Sequence, residues 1–138
     1  MTQTTDFNAK IIEEFRANSG HVGGPFAGAP LLLLHHTGAK TDIARVSPVM
    51  YQPVGDDLAV FASKGGAPSN PAWYHNLVAH PEAEVEVATD RFPVVARVAN
   101  DAERAPIWDK QKHDYPGFAQ YESRTTRTIP VVILERAR

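Results

Sequence analysis

LLLLHHTGAKTDIARVSPVMYQPVGDDLAVFA, residues 31–62, decides the fold. Its three apolar runs, 31–36, 45–51 and 58–62, have strand length and are separated by TGAKTD and PVGDD, stretches dense in turn-forming residues. Gaps this short join neighbouring strands as antiparallel hairpins. Toward the C-terminus, residues 84–88 and 92–98 repeat the pattern across Thr89-Asp90, and residues 129–135 supply a sixth strand. Val85 and Val87 alternate with Glu84 and Glu86, so one face of that strand is expected to meet water.

Helical signals fall between and before the strands. Phe7, Ile11, Ile12 and Phe15 recur at helical spacing over residues 6–18, with Thr5 or Asp6 as a cap and Ser19-Gly20 as a stop. The polar face mixes Lys10 and Arg16 with Asp6, Glu13 and Glu14, which suits a lid over a core better than a helix lying on anionic lipid. HVGGPFAGAP, residues 21–30, reads as a loop. Asn70-Pro71 reads as a cap and first turn of a second helix that stops before His80-Pro81. Asn100 and Glu103 stand at capping-box spacing ahead of Ile107 and Trp108. The expected architecture is mainly β within the α+β class: a six-stranded antiparallel barrel with peripheral helices. Residues 1–30 should pack on it as helix and loop, and residues 31–138 form the barrel domain.

The chain has 138 residues, 43% of them hydrophobic, the size of one domain with a real core. Fourteen Lys and Arg against 16 Asp and Glu leave a net charge of −2 with no basic stripe, which argues against nucleic acid and makes any anion site local. The absence of cysteine excludes disulfides, thiolate catalysis and cysteine-ligated metals. The start lacks the pattern of a secretory signal, and the longest apolar run is too short to cross a bilayer, so a cytoplasmic location is expected. No metal site is expected: His35 and His36 point to opposite faces of a strand, and His75 and His80 miss the helical i, i+4 spacing. Ser63 lacks a nucleophile-elbow context, and GAKT at residues 38–41 lacks the rest of a phosphate loop.

What remains is a pattern of cations and rings. Lys40 and Arg45 flank the first turn, while Lys64 precedes Gly65 and Gly66, whose permissive backbone can aim amides at an anion. The helix from Pro71 then offers Trp73 and Tyr74 as flat walls, and its N-terminus favours negative charge. Residue types alone fit a planar anionic cofactor and, equally well, a solvated Lys64 with Trp73 as a core plug.

HHTGAKTDIARVSPVMY (35–51), ASKGGAP (62–68), NPAWYHNLVAHPEAEVEV (70–87) and YPGFAQYESRTTRTIPVVILER (115–136) together resemble the deazaflavin-dependent nitroreductase family of actinobacteria. The resemblance implies a split β-barrel related to flavin-mononucleotide-binding oxidoreductases. It also implies an enzyme that uses reduced coenzyme F420 to reduce quinones and nitro compounds. Carried over by position, it puts the cofactor's phosphate and oligoglutamate tail near Lys40, Thr41, Arg45 and Lys64. The ring would lie along Val46, Ser47, Pro48, Val49 and Met50 and against Phe61, Ala62 and Ser63, with Ala72, Trp73, Tyr74, His75 and Asn76 completing the pocket. Acceptor contacts would come from Ser63, Tyr115, Phe118 and Tyr121. In this reading Ser63 and Tyr115 donate to the acceptor's developing charge and Tyr121 shapes the pocket. The chain departs from the family pattern with Phe118 in place of tyrosine, Ala39 in place of a basic residue, Asp42 in place of glycine and Arg124 in place of an aromatic residue. A flavin-mononucleotide reductase and a non-catalytic F420 carrier stand as alternatives. A homodimer, and peripheral contact with the inner face of the plasma membrane through the opening helix, stay open.

Overall fold

The computed structural model describes residues 3–22 and 30–137. Strands β1 (Leu31–Thr37), β2 (Ala44–Val54), β3 (Asp57–Phe61), β4 (Glu82–Val87), β5 (Asp90–Val98) and β6 (Val131–Arg136) close into a barrel in the order β1-β2-β3-β6-β5-β4. Every neighbouring pair is antiparallel. Hairpins join β1 to β2, β2 to β3 and β4 to β5, as the short gaps require. Helices α1 (Gln3–Ala17), α2 (Ala72–Ala79), α3 (Asp101–Asp114) and α4 (Gly117–Ser123) surround the barrel.

The unbroken leucines of β1 follow from burial on both faces. Leu32 and Leu34 join Val60, Val85, Val94, Val132 and Leu134 in one core cluster, into which α2 inserts Trp73 and Leu77. Leu31 and Leu33 point the other way and pack with Ile11 and Phe15 of α1. The continuous run Val131, Val132, Ile133, Leu134 of β6 has the same cause, because its outer residues meet Ile107, Trp108 and Phe118 of α3 and α4. Fully burying one such side chain contributes about 1.5–3 kcal/mol.

Several elements differ from the sequence expectation. Helix α1 starts at Gln3, so Thr5 and Asp6 lie inside it rather than at its cap, while the Phe7 side chain falls outside the described set. Residues 23–29 of the expected loop also lie outside the described residues. Pro71 is the N-cap of α2 rather than its first residue, with extended backbone. Helix α4 was not anticipated. The polar face of β4 does not simply meet water: Arg16 of α1 donates to Glu86 from Nη2 at 2.8 Å and from Nε at 3.2 Å, and His35 Nε2 lies 2.5 Å from the same carboxylate. These bonds fasten α1 to the barrel wall and hold the Glu86 carboxyl down at about 2. Asn100 and Glu103 do form the expected capping box at the start of α3.

Candidate active site

The first site element is the turn between β1 and β2. The Gly38 amide donates to the Ile43 carbonyl at 2.9 Å, the Asp42 amide to the Gly38 carbonyl at 3.0 Å, and the Ile43 amide to Thr41 Oγ1 at 3.3 Å. A Cβ on Gly38 would lie 2.3 Å from Thr41 Oγ1, so a side chain there would displace the Thr41 hydroxyl from its bond to the Ile43 amide. Asp42 has φ +55°, the backbone region that favours glycine and that aspartate tolerates. Its carboxylate stands 3.3 Å from His80 Nε2, just past the end of α2.

The turn is docked on α2 by the Ala39 amide, which donates to Asn76 Oδ1 at 2.9 Å. Between them lies a groove of about 670 Å³ lined by Gly38, Ala39, Lys40, Thr41 and Arg45 on one side and Ala72, His75 and Asn76 on the other. Among the described residues Lys40 and Arg45, like Lys64 and Arg124 near the second loop, have no carboxylate partner, whereas Arg16, Arg91, Arg97, Lys110 and Lys112 are ion-paired. The first turn of α2 has no side-chain cap, which leaves its positive end open toward Ala72. Two unneutralised cations, a docked backbone turn and an uncapped helix start suit a polyanion.

The second element is the loop after β3. Lys64 and Gly66 form a single 3₁₀ turn with φ +47° and +84°. A Cβ on Gly66 would meet the Tyr121 carbonyl oxygen at 2.7 Å and Arg124 Cβ at 2.9 Å, so only glycine lets this loop sit on α4. Arg127 fixes the rest of the loop. It donates from Nε to the Ala67 carbonyl at 2.9 Å, from Nη1 to Asn70 Oδ1 at 2.7 Å and from Nη2 to the Ser63 carbonyl at 2.8 Å. Lys64 Nζ rests 3.5 Å from Ser69 Oγ and is otherwise exposed.

Beneath this loop lies an aromatic cluster. Phe118 packs edge-on against Phe61 at 5.6 Å, Trp108 at 6.1 Å and Tyr121 at 5.3 Å between ring centroids. Trp108 Nε1 donates to Glu122 at 2.5 Å, tying α3 to α4. Tyr115, which ends α3, packs at the edge of the same cluster and also lines a cavity of about 530 Å³ with Tyr51, Leu31 and Val22.

A chain of polar groups, buried at His36 and Asn76 and half-buried at Ser47, runs under the β1–β2 turn. Asn76 Nδ2 lies 2.9 Å from His36 Nδ1, and His36 Nε2 lies 2.9 Å from Ser47 Oγ. Burial, with Arg45 and His35 adding to it, pushes the His36 imidazole down to about 4.

The structure therefore brings Lys40, Thr41, Arg45, Ala72, His75 and Asn76 together on one groove. Ser63, Phe61, Phe118 and Tyr121 gather at the Lys64 loop and α4, with Tyr115 at their margin. Trp73 does not form a wall of the groove: it is 9% exposed and plugs the barrel core, the second of the two readings its residue type allowed. Tyr74 packs against that core and lines a different cavity, of about 210 Å³, with Val78, Pro81 and Val98. Ala62 is fully buried in the barrel core and Val49 packs against it, while Val46 and Met50 turn toward α1, because alternate residues of β2 face opposite sides. Ser47 and Pro48 are half-buried along β2. Arg124 stacks 6.0 Å from the Tyr121 ring. Sequence reasoning missed Arg127 and His36, whose partners lie tens of residues away. The only signal was their polarity in otherwise apolar or turn-rich stretches.

Comparison with known proteins identifies the family. The model of the F420H(2)-dependent quinone reductase family matches residues 9–136. An F420H(2)-dependent quinone reductase of Mycobacterium tuberculosis is 42% identical over 126 residues, 88% of this chain and 85% of that one. A putative F420H(2)-dependent quinone reductase of the same organism is 39% identical over 105 residues, 76% of this chain and 88% of the other. Among solved structures, an F420-H2 dependent reductase (FDR-A) has a TM-score of 0.70 at 37% identity, covering 77% of this chain and 94% of its own. A domain-swapped dimer has a TM-score of 0.72 at 33% identity, covering 96% and 100%. A putative pyridoxamine 5'-phosphate oxidase from Listeria innocua, 10% identical with a TM-score of 0.57, shares the fold. On the strength of the family match and these relatives, the chain belongs to the F420H(2)-dependent quinone reductase family.

Proposed function

We propose that this protein reduces a quinone at the expense of reduced coenzyme F420, with the cofactor's anionic tail in the groove between the β1–β2 turn and α2. The observation that carries this reading is the pair Lys40 and Arg45, unneutralised and facing the uncapped start of α2 across one groove, in a chain of this family. When bound, reduced F420 supplies a hydride. The chain's own residues bind, orient and exclude water. Lys40 and Arg45 hold negative charge, and the docked Ala39 turn keeps them in place. Lys64 stands on a loop anchored by Arg127 and Gly66 and supplies a further cation for the tail. The packed rings of Phe61, Phe118 and Tyr121 keep water from the acceptor side.

A quinone that gains a hydride needs a proton for its second oxygen. We assign that donation to Tyr115, which packs at the edge of the aromatic cluster, or to Ser63, buried at the start of the Lys64 turn, because a phenol or alcohol donates a hydrogen bond at neutral pH. Phe118 contributes area and no hydroxyl. Reduction of nitro compounds is an extension of the same site with a different acceptor, and pairing of two copies is a second proposal, favoured by the domain-swapped dimer among the structural relatives. Mixing the protein with reduced F420 and a panel of quinones and nitroaromatics, while following cofactor oxidation, tests the activity. Quinone-dependent oxidation supports the reading. Cofactor binding without oxidation by any quinone makes the protein a carrier instead.

A further inference from the structure

Proton positions in the buried chain under the β1–β2 turn follow from its first member. The Ala39 amide can only donate, so Asn76 meets it with Oδ1 and turns Nδ2 toward His36. An amide nitrogen can only donate, so His36 Nδ1 accepts and carries no proton. A neutral imidazole then has its proton on Nε2, which must donate to Ser47 Oγ 2.9 Å away. Ser47 has filled one acceptor position and still owns a hydroxyl proton. Among the described residues that hydroxyl has no acceptor, and Ser47 is half-buried on β2, opposite Leu34 of β1. His36 is 4% exposed and Asn76 7%, so water does not compete for either.

We infer that His36 is a positioning residue, locked as the Nε2–H tautomer between Asn76 and Ser47, that aims the Ser47 hydroxyl as a donor at an acceptor oxygen of the bound cofactor. This rests on the assignment of the neighbouring groove to reduced F420. The same chain docks the cationic turn on α2 at its other end, so one set of hydrogen bonds couples the placement of Lys40 and Arg45 to the direction of the Ser47 donor. The depressed basicity of the ring keeps it neutral through the physiological range, which the tautomer lock requires. The receiving oxygen belongs to a ring carbonyl or to a phosphate, and the two are separable because the ribityl deazaflavin head group without its phosphate tail can be titrated alone.

Two measurements test this. Long-range ¹H–¹⁵N spectra of the uniformly labelled, cofactor-free protein at pH 7 should show His36 with an unprotonated Nδ1 and a protonated Nε2. An Nδ1–H tautomer or a charged ring overturns the inference without reference to any ligand. Fluorescence titration with F420 should show Ser47→Ala binding about 3- to 10-fold more weakly than wild type, the range expected for one lost hydrogen bond. His36→Asn keeps a group at the Nδ1 position and loses Nε2, so it should weaken binding by a similar factor, and the double variant should be no weaker than either single one. Losses that multiply, or none at all, overturn the coupling. A Ser47→Ala loss that persists with the tail-less head group assigns the oxygen to the ring, and a loss seen only with F420 assigns it to the tail. A wild type that ignores F420 defeats the cofactor reading and the ligand assigned to Ser47, while the ring spectrum still decides the tautomer.

Discussion

Replacing Arg127 by methionine should unfasten the loop that carries Ser63 and Lys64. The guanidinium makes three charge-assisted hydrogen bonds, to the Ser63 and Ala67 carbonyls and to Asn70. At about 1.5–3 kcal/mol each for bonds to a charged group, simple addition overstates the loss. The Ser63 carbonyl keeps a second donor, the Gly66 amide at 2.9 Å, and Ala67 and Asn70 are half-buried, so water replaces part of what is removed. Methionine also retains much of the side chain's apolar packing. A loss of about 2–4 kcal/mol in unfolding free energy follows, read from urea denaturation, together with weaker F420 binding because Lys64 is no longer held. Arg127→Lys keeps the charge but cannot bridge three acceptors and should recover less than half of the loss. If Arg127→Met unfolded at the wild-type midpoint and bound F420 as tightly, the anchoring role assigned here would be wrong.

Acid should destabilise the fold in two stages. His36 takes a proton near 6.5 when unfolded but only near 4 when folded, so its penalty is absent above 6.5 and grows to about 3 kcal/mol as pH falls to 4. Arg45 and His35 face the ring, and Glu82 and Glu84 share a cavity with it. The Glu86 carboxylate, held near 2 chiefly by Arg16, stabilises the fold above its ordinary 4.5, and that contribution is lost as pH falls toward 2. Urea midpoints measured across this range should fall in wild type and fall less between 6.5 and 4 in His36→Asn. Gly66→Ala should cost about 1–3 kcal/mol, since its φ of +84° and the 2.7 Å approach to the Tyr121 carbonyl both oppose a side chain, and a thermal-melt comparison would show it. Phe118→Tyr places a hydroxyl in a site only 7% exposed and ringed by Phe61, Trp108 and Tyr121. It should lower stability by about 1–3 kcal/mol unless the new hydroxyl reaches a partner, and the ratio of nitroaromatic to quinone turnover reports whether it meets the acceptor.

Much of the barrel was legible because its signals are local. The hairpin gaps and the Asn100–Glu103 capping box each act within a few residues, and the structure places them as the sequence suggests. Continuous runs such as Leu31 to Leu34 showed burial but not what buries them, since β1 meets the barrel interior on one face and α1 on the other. Helix α4 is seven residues long and opens on Gly117 behind Pro116, too short and too punctuated to register as periodic. The site was legible in its cations and less so in its supports. Lys40 and Arg45 advertise themselves near a turn, whereas Arg127 acts on residues 57 to 64 positions away and His36 on residues 11 and 40 away. Trp73 shows the converse limit: an aromatic at a helix start beside a glycine loop suits a ring-binding wall or a core plug by composition, and its packing with Leu32 and Leu34 puts it in the core.

The groove's assignment stands or falls on cofactor affinity, and a fluorescence titration of F420 into wild type, Lys40→Ala and Arg45→Ala at fixed ionic strength measures it. Each substitution removes an unpaired cation from the lining and should weaken binding about tenfold or more, with the wild-type affinity falling as salt is added. Equal affinities in all three proteins, indifferent to salt, would place the anionic tail elsewhere and contradict the account.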